Sequence, residues 1–316
     1  VNNYYPIAHR DGGNLGKKWV LDYVRRICES EVPKVFHNAL YDIGWLSSVG
    51  VEVHGRIIDT MYAAAIIDEN RFSYSLDSVA KDWVGVGKEE SHLKEAGAAR
   101  GIKPKDLKAR MWQLPARHVG PYAEGDVSTT WLLWQYEKKI IEKEGLGSIL
   151  QLELDLIPLL IKMRARGIRV DADKAEIVRR DLVAKQKMEV DKIKSDFGVN
   201  VDVWAAASLA KAFDAAGVEY GQTAKGAPSF TKEFLERHPH SLPQSIRRIR
   251  KIEKTINTFI DGMVRKNAHN GRIHCELHPL KSDDGGTVTG RFSCSNPNLQ
   301  QTSARDPEFG PMVRGL

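Results

Sequence analysis

The sequence predicts an α/β layer architecture in its first part and a mostly α-helical second part. Three observations lead there. A short apolar run at residues 32–38 is followed at once by helical periods, a Gly-containing break (EGLGS) falls at residues 144–148, and long helical patterns follow that break. The break is the expected boundary, giving domains 1–146 and 147–316.

The elements follow in order. Residues 32–38 (VPKVFHN) read as a strand, and residues 39–49, 60–68 and 76–84 as helices. Residues 88–110 read as a charged, Gly- and Ala-rich loop region. Pro121 suits the first turn of a helix reaching about residue 143. Ile149, Leu152, Leu156, Leu159 and Met163 recur at spacings of three and four, a stripe expected to be buried. Arg166-Gly167 ends that helix, and residues 168–170 are extended. Residues 173–195 form a Lys-rich helix, and residues 205–216 another, stopped by Gly217. Residues 220–229 read as a loop. The clearest helix is 245–266. Ile246, Ile249, Ile252, Ile256, Phe259 or Ile260, and Met263 line one face, while Arg247, Lys251 and Lys254 fall opposite.

Composition is that of an ordinary globular chain: 316 residues, 42% hydrophobic and 28% charged. No run approaches eighteen apolar residues, so no membrane span is expected. The opening VNNYYPIAHR has the form of neither a secretory signal nor a transit peptide. Cys28, Cys275 and Cys294 lie far apart without CxxC spacing, which argues against a disulfide framework or zinc site and for a reducing compartment. The net charge is +6, and its placement is uneven. Residues 1–150 carry 20 basic and 20 acidic side chains, residues 151–316 carry 27 and 21. The excess in the second part fits a polyanionic partner and equally fits a surface selected for solubility.

Two patterns in the first part carry possible chemistry. Asn38-Ala-Leu-Tyr41-Asp42 stands at a strand end, and Tyr122-Ala-Glu-Gly-Asp126 at a helix start. Tyr122 and Asp126, four apart, share a helix face. Carboxylates gathered there would suit divalent metal through oxygen ligands, and two such ions can activate water and stabilise a leaving oxygen. Either pattern alone also fits a structural role, with the strand-end Asp capping a helix. Neither His37, His118 nor His274 has a second His or Cys at metal spacing, so core or surface roles are expected. Trp131 and Trp134, on the helix of Asp126, read as packing residues.

In this order and spacing the two patterns resemble the second and third motifs of DEDDy-type 3′–5′ proofreading exonucleases. IDTMYAAAIID (58–68) and YSLDSVAKDWVG (74–85) are similar to the segments between those motifs. The resemblance implies a ribonuclease H-like α/β fold with Asp42 and Asp126 as catalytic carboxylates and Mg²⁺ ligands. It makes Tyr122 the residue that orients the attacking water and Asn38 a contact to the substrate strand. The family's first motif, a D-x-E pair on the first strand, is not found before Asn38, where the acids are Asp11, Asp22, Glu29 and Glu31. The opening YYPIAH resembles the stretch just C-terminal to that motif. The missing strands are expected before Val1, the two-metal site is expected to be incomplete, and the chain by itself is expected to show no exonuclease activity.

The second part resembles family A DNA polymerases, the Pol I-like group and phage-type members in particular. LIKMRARGIRVD (160–171), AKGAPSFTKEFL (224–235), the Arg247, Lys251, Thr255 spacing, GRIHCEL (271–277) and TVTGRFSCSNPNLQQTSAR (287–305) keep the family's order. Together they imply a polymerase thumb and the edge of the palm, truncated before the palm carboxylates. Arg247, Lys251 and Thr255 match that family's thumb helix, and the stripe of Arg247, Lys251 and Lys254, which alone also fits a solvated helix face, would track the DNA backbone, where phosphate contacts carry no sequence information. Arg291 would sense minor-groove acceptors at the primer end, which occupy similar places on every base pair. Thr289, Asn298 and Gln300 would help hold the duplex. Gln301 stands where the family usually has Asn, and Arg305 and Arg314 resemble positions at the palm entrance.

The resemblance thus implies a DNA-directed DNA polymerase with proofreading exonuclease, using Mg²⁺ and dNTPs on primer–template DNA and single-stranded 3′ ends. It implies a monomer associated with the nucleoid in the cytoplasm of a bacterial or phage-infected cell. Two alternatives stand beside it: an exonuclease with a nucleic-acid-binding second half, and a non-catalytic DNA-binding accessory protein.

Overall fold

A computed structural model describes residues 2–281, 285–302 and 305–316. The chain forms two compact units, Val1–Ala165 with Leu277–Cys294, and Arg166–Glu276 with Ser295–Leu316.

The first unit opens with α1 (Lys17–Cys28), then β1 (Lys34–Phe36), α2 (Ala39–Ser48), β2 (Ile57–Asp59), α3 (Thr60–Ile67), α4 (Leu76–Val84), α5 (Ser91–Ala98), α6 (Ala116–Glu144) and α7 (Gly147–Arg166). β1 and β2 run parallel with Phe36 opposite Asp59, so both strands deliver helix N-termini at the same end. Ala39, Ile43, Ile58, Tyr62, Trp134, Leu154 and Ile157 share one core around this pair. Each fully buried Leu or Ile there contributes roughly 1.5–3 kcal/mol.

Several sequence expectations change here. The loop expected at residues 88–110 contains α5, because Leu93 and Ala96 bury against Ile102, Leu107 and Leu114. α6 begins at Ala116, so Pro121 lies inside the helix and not in its first turn. In α7 the expected stripe is the outer one: Ile149, Leu152, Leu159 and Met163 are exposed, and Leu150, Leu154, Ile157 and Leu160 are buried. Both rows have helical spacing, and the core shared with Ile57, Ile58, Tyr62 and Trp134 takes Leu150, Leu154 and Ile157 of the second. Trp134 packs as expected, while Trp131 is exposed.

The second unit holds β3 (Ile168–Arg169), α8 (Ala172–Phe197), α9 (Ala206–Ala215), β4 (Gly221–Gln222), β5 (Pro228–Ser229), α10 (Lys232–Arg237) and α11 (Ser241–Lys254). A π-helix comes next over Thr255–Arg265, then β6 (Ala268–His269) and β7 (Arg272–Ile273). β8 (Glu276–His278) and β9 (Ser293–Ser295) mark where the chain leaves and re-enters the unit, and α12 (Phe309–Arg314) closes it. β3 pairs antiparallel with β7. Gly167 permits this turn: its φ is +64°, and a Cβ there would lie 2.8 Å from the Ile273 carbonyl oxygen. The loop expected at 220–229 carries the β4–β5 hairpin.

The helix expected over 245–266 starts at Ser241 and widens into the π-helix. Its apolar face is buried as expected: Ile246, Ile249, Ile252, Ile256, Phe259, Ile260 and Met263 all lie in core clusters with α8 or α9 residues. Among the described residues no helix is long and apolar enough to cross a membrane.

Candidate functional sites: a carboxylate cluster and a basic helix

The C-terminal ends of β1 and β2 gather acids. Asp59 ends β2 and caps α3, accepting from the backbone N–H of Met61 (2.8 Å) and Tyr62 (3.3 Å). It also accepts from Asn38 (3.2 Å) and Ala39 (2.5 Å), the first amides of α2. One carboxylate therefore clamps two helix N-termini, where partial positive charge collects. Burial pushes Asp59 up, and these four amides pull against it. Asn38, at the start of α2, adopts a left-handed conformation with φ 72°, which Asn tolerates better than most residues.

Asp42 lies one turn into α2. Solvent reaches it, yet its carboxyl is raised to about 6, because surrounding protein strips part of its hydration and Asp59 repels its charge. Glu137 of α6 is fully buried, and neither carboxylate oxygen finds a hydrogen-bond partner among the described residues. Burial, then Asp59, hold it well above the ordinary carboxylate range. Sequence reading singled out neither Asp59 nor Glu137. An Asp-Thr pair between a strand and a helix was a readable capping signal for Asp59, whereas a lone Glu among Trp131, Trp134 and Lys138 offers none for Glu137.

Tyr122 and Asp126 share one face of α6, as their spacing requires. Lys88, from the loop after α4, joins them. Its ammonium lies 3.1 Å from Asp126 Oδ1 and Oδ2, 3.2 Å from the Tyr122 hydroxyl and 5.2 Å above the Tyr122 ring. Burial and then the Asp126 charge raise the Tyr122 phenol to about 12. Asp42 and Asp126 offer hard oxygen donors of the type Mg²⁺ takes. They fit in kind and fall short in number: among the described residues no three His, Cys, Asp or Glu side chains converge on one point. His37 serves structure, contacting the Thr60 hydroxyl at 2.8 Å and the Tyr74 carbonyl at 3.0 Å.

In the second unit the basic side chains of α11 are present, and most are ion-paired. Arg247 meets Glu236 at 3.4 Å, and Arg248 meets Glu189 at 3.4 Å and Glu308 at 3.1 Å. Lys251 meets Asp306 at 2.6 Å. Burial alone would raise Asp306, but Lys251 and the N–H groups of Phe309 and Glu308 hold it below its usual value. Arg250 turns inward to the carbonyls of Val203 and Phe230, over the Trp204 ring. Lys254 is exposed. Thr255 is buried, its hydroxyl donating to the Lys251 carbonyl at 2.8 Å, so its side chain faces the core and not the basic surface.

The sequence-predicted residues of 287–305 divide between the units. Thr289 and Arg291 belong to the first; both are exposed, and the Arg291 guanidinium makes no ion pair among the described residues. The Thr287 hydroxyl donates to the Arg291 carbonyl at 2.9 Å and contacts that of Thr289 at 3.1 Å, holding the turn. Asn298 and Gln300 belong to the second; the Asn298 carboxamide oxygen accepts from the Gln300 N–H at 3.1 Å. Ser303 and Ala304 of this segment lie outside the described residues.

Comparison with known proteins places both sites in context. Residues 4–142 match the family model for 3′–5′ exonuclease, and residues 173–315 that for DNA polymerase family A. A DNA-directed DNA polymerase of Pseudomonas phage M6 is 33% identical over 328 aligned residues, covering 99% of this chain and 48% of the relative. A DNA polymerase I of Pseudomonas aeruginosa is 28% identical, covering 96% and 34%. The chain spans about half the length of the phage relatives it matches. Among solved structures, the POL domain of Pol1 from M. smegmatis, in complex with DNA primer-template and dNTP, aligns with a TM-score of 0.70 at 19% identity. It covers 96% of this chain and 48% of that one.

Proposed function

We propose that the chain is part of a DNA polymerase of family A and serves template-directed DNA synthesis with proofreading, since residues 4–142 match the 3′–5′ exonuclease model and residues 173–315 the family A polymerase model. The tandem order of the two matches is the observation that carries this reading. It also weighs against a stand-alone exonuclease and against a non-catalytic accessory protein, since neither needs a polymerase region. The functional division proposed is 1–146 for the ribonuclease H-like exonuclease and 147–316 for thumb and palm edge. Primer–template DNA, single-stranded 3′ ends and dNTPs are the proposed partners, and a monomer at the nucleoid in the cytoplasm the proposed state.

In the exonuclease region, Asn38 is assigned to the substrate strand and Asp42 with Asp126 to part of a Mg²⁺ shell. When bound, such an ion supplies Lewis acidity that favours hydroxide over water. The chain's own residues do the positioning. Lys88 donates to the Tyr122 oxygen, and the Tyr122 O–H is hydrogen-bonded with Asp126, so the phenol would orient a water once the Asp126 carboxylate is engaged by an ion and water. The raised phenol keeps that proton through the physiological range. Asp126, held by Lys88, keeps its carboxylate on the same helix face as Tyr122.

In the polymerase region, α11 offers Arg247, Lys251 and Lys254 to backbone phosphates. Arg247 and Lys251 are held in place by acids on their flanks, and phosphate would exchange for those acids. Thr255 supports the helix from within. Arg291, exposed and without an ion pair, is assigned to minor-groove acceptors, with Thr289, Asn298 and Gln300 beside it in function. The test is extension of a recessed primer by a polymerase carrying this sequence. Arg291→Ala should slow extension much more than it weakens DNA binding, and equal losses in both would contradict its assigned role.

A further inference from the structure

α1 displays an aromatic and basic surface that none of the assigned roles uses. Trp19 and Tyr23, one turn apart, lie nearly parallel, with an interplanar angle of 7° and ring centroids 5.9 Å apart. Tyr5 closes the group at 5.2 Å from Tyr23 and 6.4 Å from Trp19. Trp19 is 58% exposed. A large ring left in water costs free energy, so a stacked pair open on one side is a surface with capacity for another flat group.

The charge around the rings says which flat group. α1 carries Lys17, Lys18, Arg25 and Arg26 against Asp22. Asp22 is shared by Lys18 at 2.7 Å and Arg25 at 3.0 Å. Lys17 and Arg26 make no ion pair among the described residues, and the Arg26 guanidinium stands 5.8 Å over the Tyr23 ring. An unneutralised guanidinium beside the exposed Trp19 ring and the half-buried Tyr23 ring supplies the two parts of a sequence-tolerant single-strand platform: a base stacks on the rings while a phosphate meets the cation. A duplex would present its phosphates but keep its base faces closed.

We propose that Trp19 and Tyr23 form a binding platform for single-stranded DNA, with Arg26 on its phosphates. This surface lies on α1, apart in sequence from Asn38, Asp42, Tyr122 and Asp126, and its function does not depend on theirs.

The test is fluorescence anisotropy of the whole chain with a labelled dT15 oligonucleotide and, separately, with a blunt duplex. Trp19→Ala should weaken dT15 binding at least about fivefold, and Trp19→Phe should retain most of it, because base–aromatic stacking survives with a smaller ring. Arg26→Glu should weaken dT15 binding and flatten its salt dependence, and Lys17→Glu, on the far side of α1, should do so much less. Duplex affinity should change less than about twofold in the aromatic variants. Circular dichroism melting keeps a folding defect distinct, and Trp19→Phe reports the platform even where Trp19→Ala lowers the melting temperature. Undetectable dT15 binding, or Trp19→Ala equal to wild type, overturns the proposal. So does an equal loss on duplex, or a wild-type self-association that Trp19→Ala abolishes, which would assign the face to a second copy of the chain. Loss of duplex binding in Arg247 or Lys251 variants bears on the polymerase reading alone.

Discussion

Lys88 places its ammonium 3.1 Å from the Asp126 carboxylate while lying 5.2 Å above the Tyr122 ring, so a single loop cation pins two groups of one helix face. A cation is thus already present at a carboxylate assigned to metal. Lys88→Met should free Asp126, and Mn²⁺ affinity, read by electron paramagnetic resonance, should tighten by up to about fivefold, the worth of a partly exposed ion pair. Unchanged or weaker Mn²⁺ binding would show that Lys88 does not compete there.

Asp59 joins the starts of α2 and α3 through four backbone amides. Asp59→Ala would leave those amides unpaired in a buried place. The expected loss is about 2–4 kcal/mol in denaturant unfolding, several times that of an ordinary exposed cap. A loss under about 0.5 kcal/mol would mean that water or neighbouring groups replace the clamp.

Glu137 makes stability fall as pH rises. Its folded pKa lies above the unfolded one, so the folded state binds more protons between the two values. The favourable contribution is complete below the unfolded value near 4.3 and is lost progressively as pH rises toward the folded value. Glu137→Gln removes this dependence. Its stability relative to wild type should improve as pH rises from about 5 to about 8 in urea titrations. A constant difference across that range would contradict the buried, unpartnered carboxyl.

Asp306 restrains Lys251 at 2.6 Å. Asp306→Asn should release Lys251 to phosphate, strengthening duplex binding about twofold to fivefold at low salt. Weaker binding would mean that the pair matters chiefly for presenting α11.

Much of this was legible in the sequence because amphipathic periodicity is a local signal. The buried face of residues 246–263 was readable from Ile spacing alone. α7 shows where that signal fails: its two apolar rows have equal spacing, and only the tertiary core around Ile58, Tyr62 and Trp134 chooses Leu150, Leu154 and Ile157. α1 carries the same local signal, since Val20, Val24, Ile27 and Cys28 keep helical spacing, with Val20 and Cys28 buried. The motif residues Asp42, Tyr122 and Asp126 could be picked out from spacing. Lys88 could not, since its partners lie more than thirty residues away. The same limit applies to the acids that neutralise α11: Glu189, Glu236, Asp306 and Glu308 come from other elements, so the stripe looked barer in sequence than it is. Thr255 has the expected spacing but faces inward, three residues after buried Ile252, with its hydroxyl donating to the Lys251 carbonyl.

A chain that grips double-helical DNA through cations, without reading its sequence, must bind unrelated duplexes alike and lose affinity as salt rises. Equilibrium titration of recessed primer–templates of unrelated sequence, repeated from about 50 to 200 mM salt, tests this most directly. Dissociation constants should agree within about threefold across sequences, with a log–log salt slope near −3, the release expected when about three or four phosphates are neutralised. Affinity that ignores salt, or that varies by orders of magnitude with sequence, would contradict it.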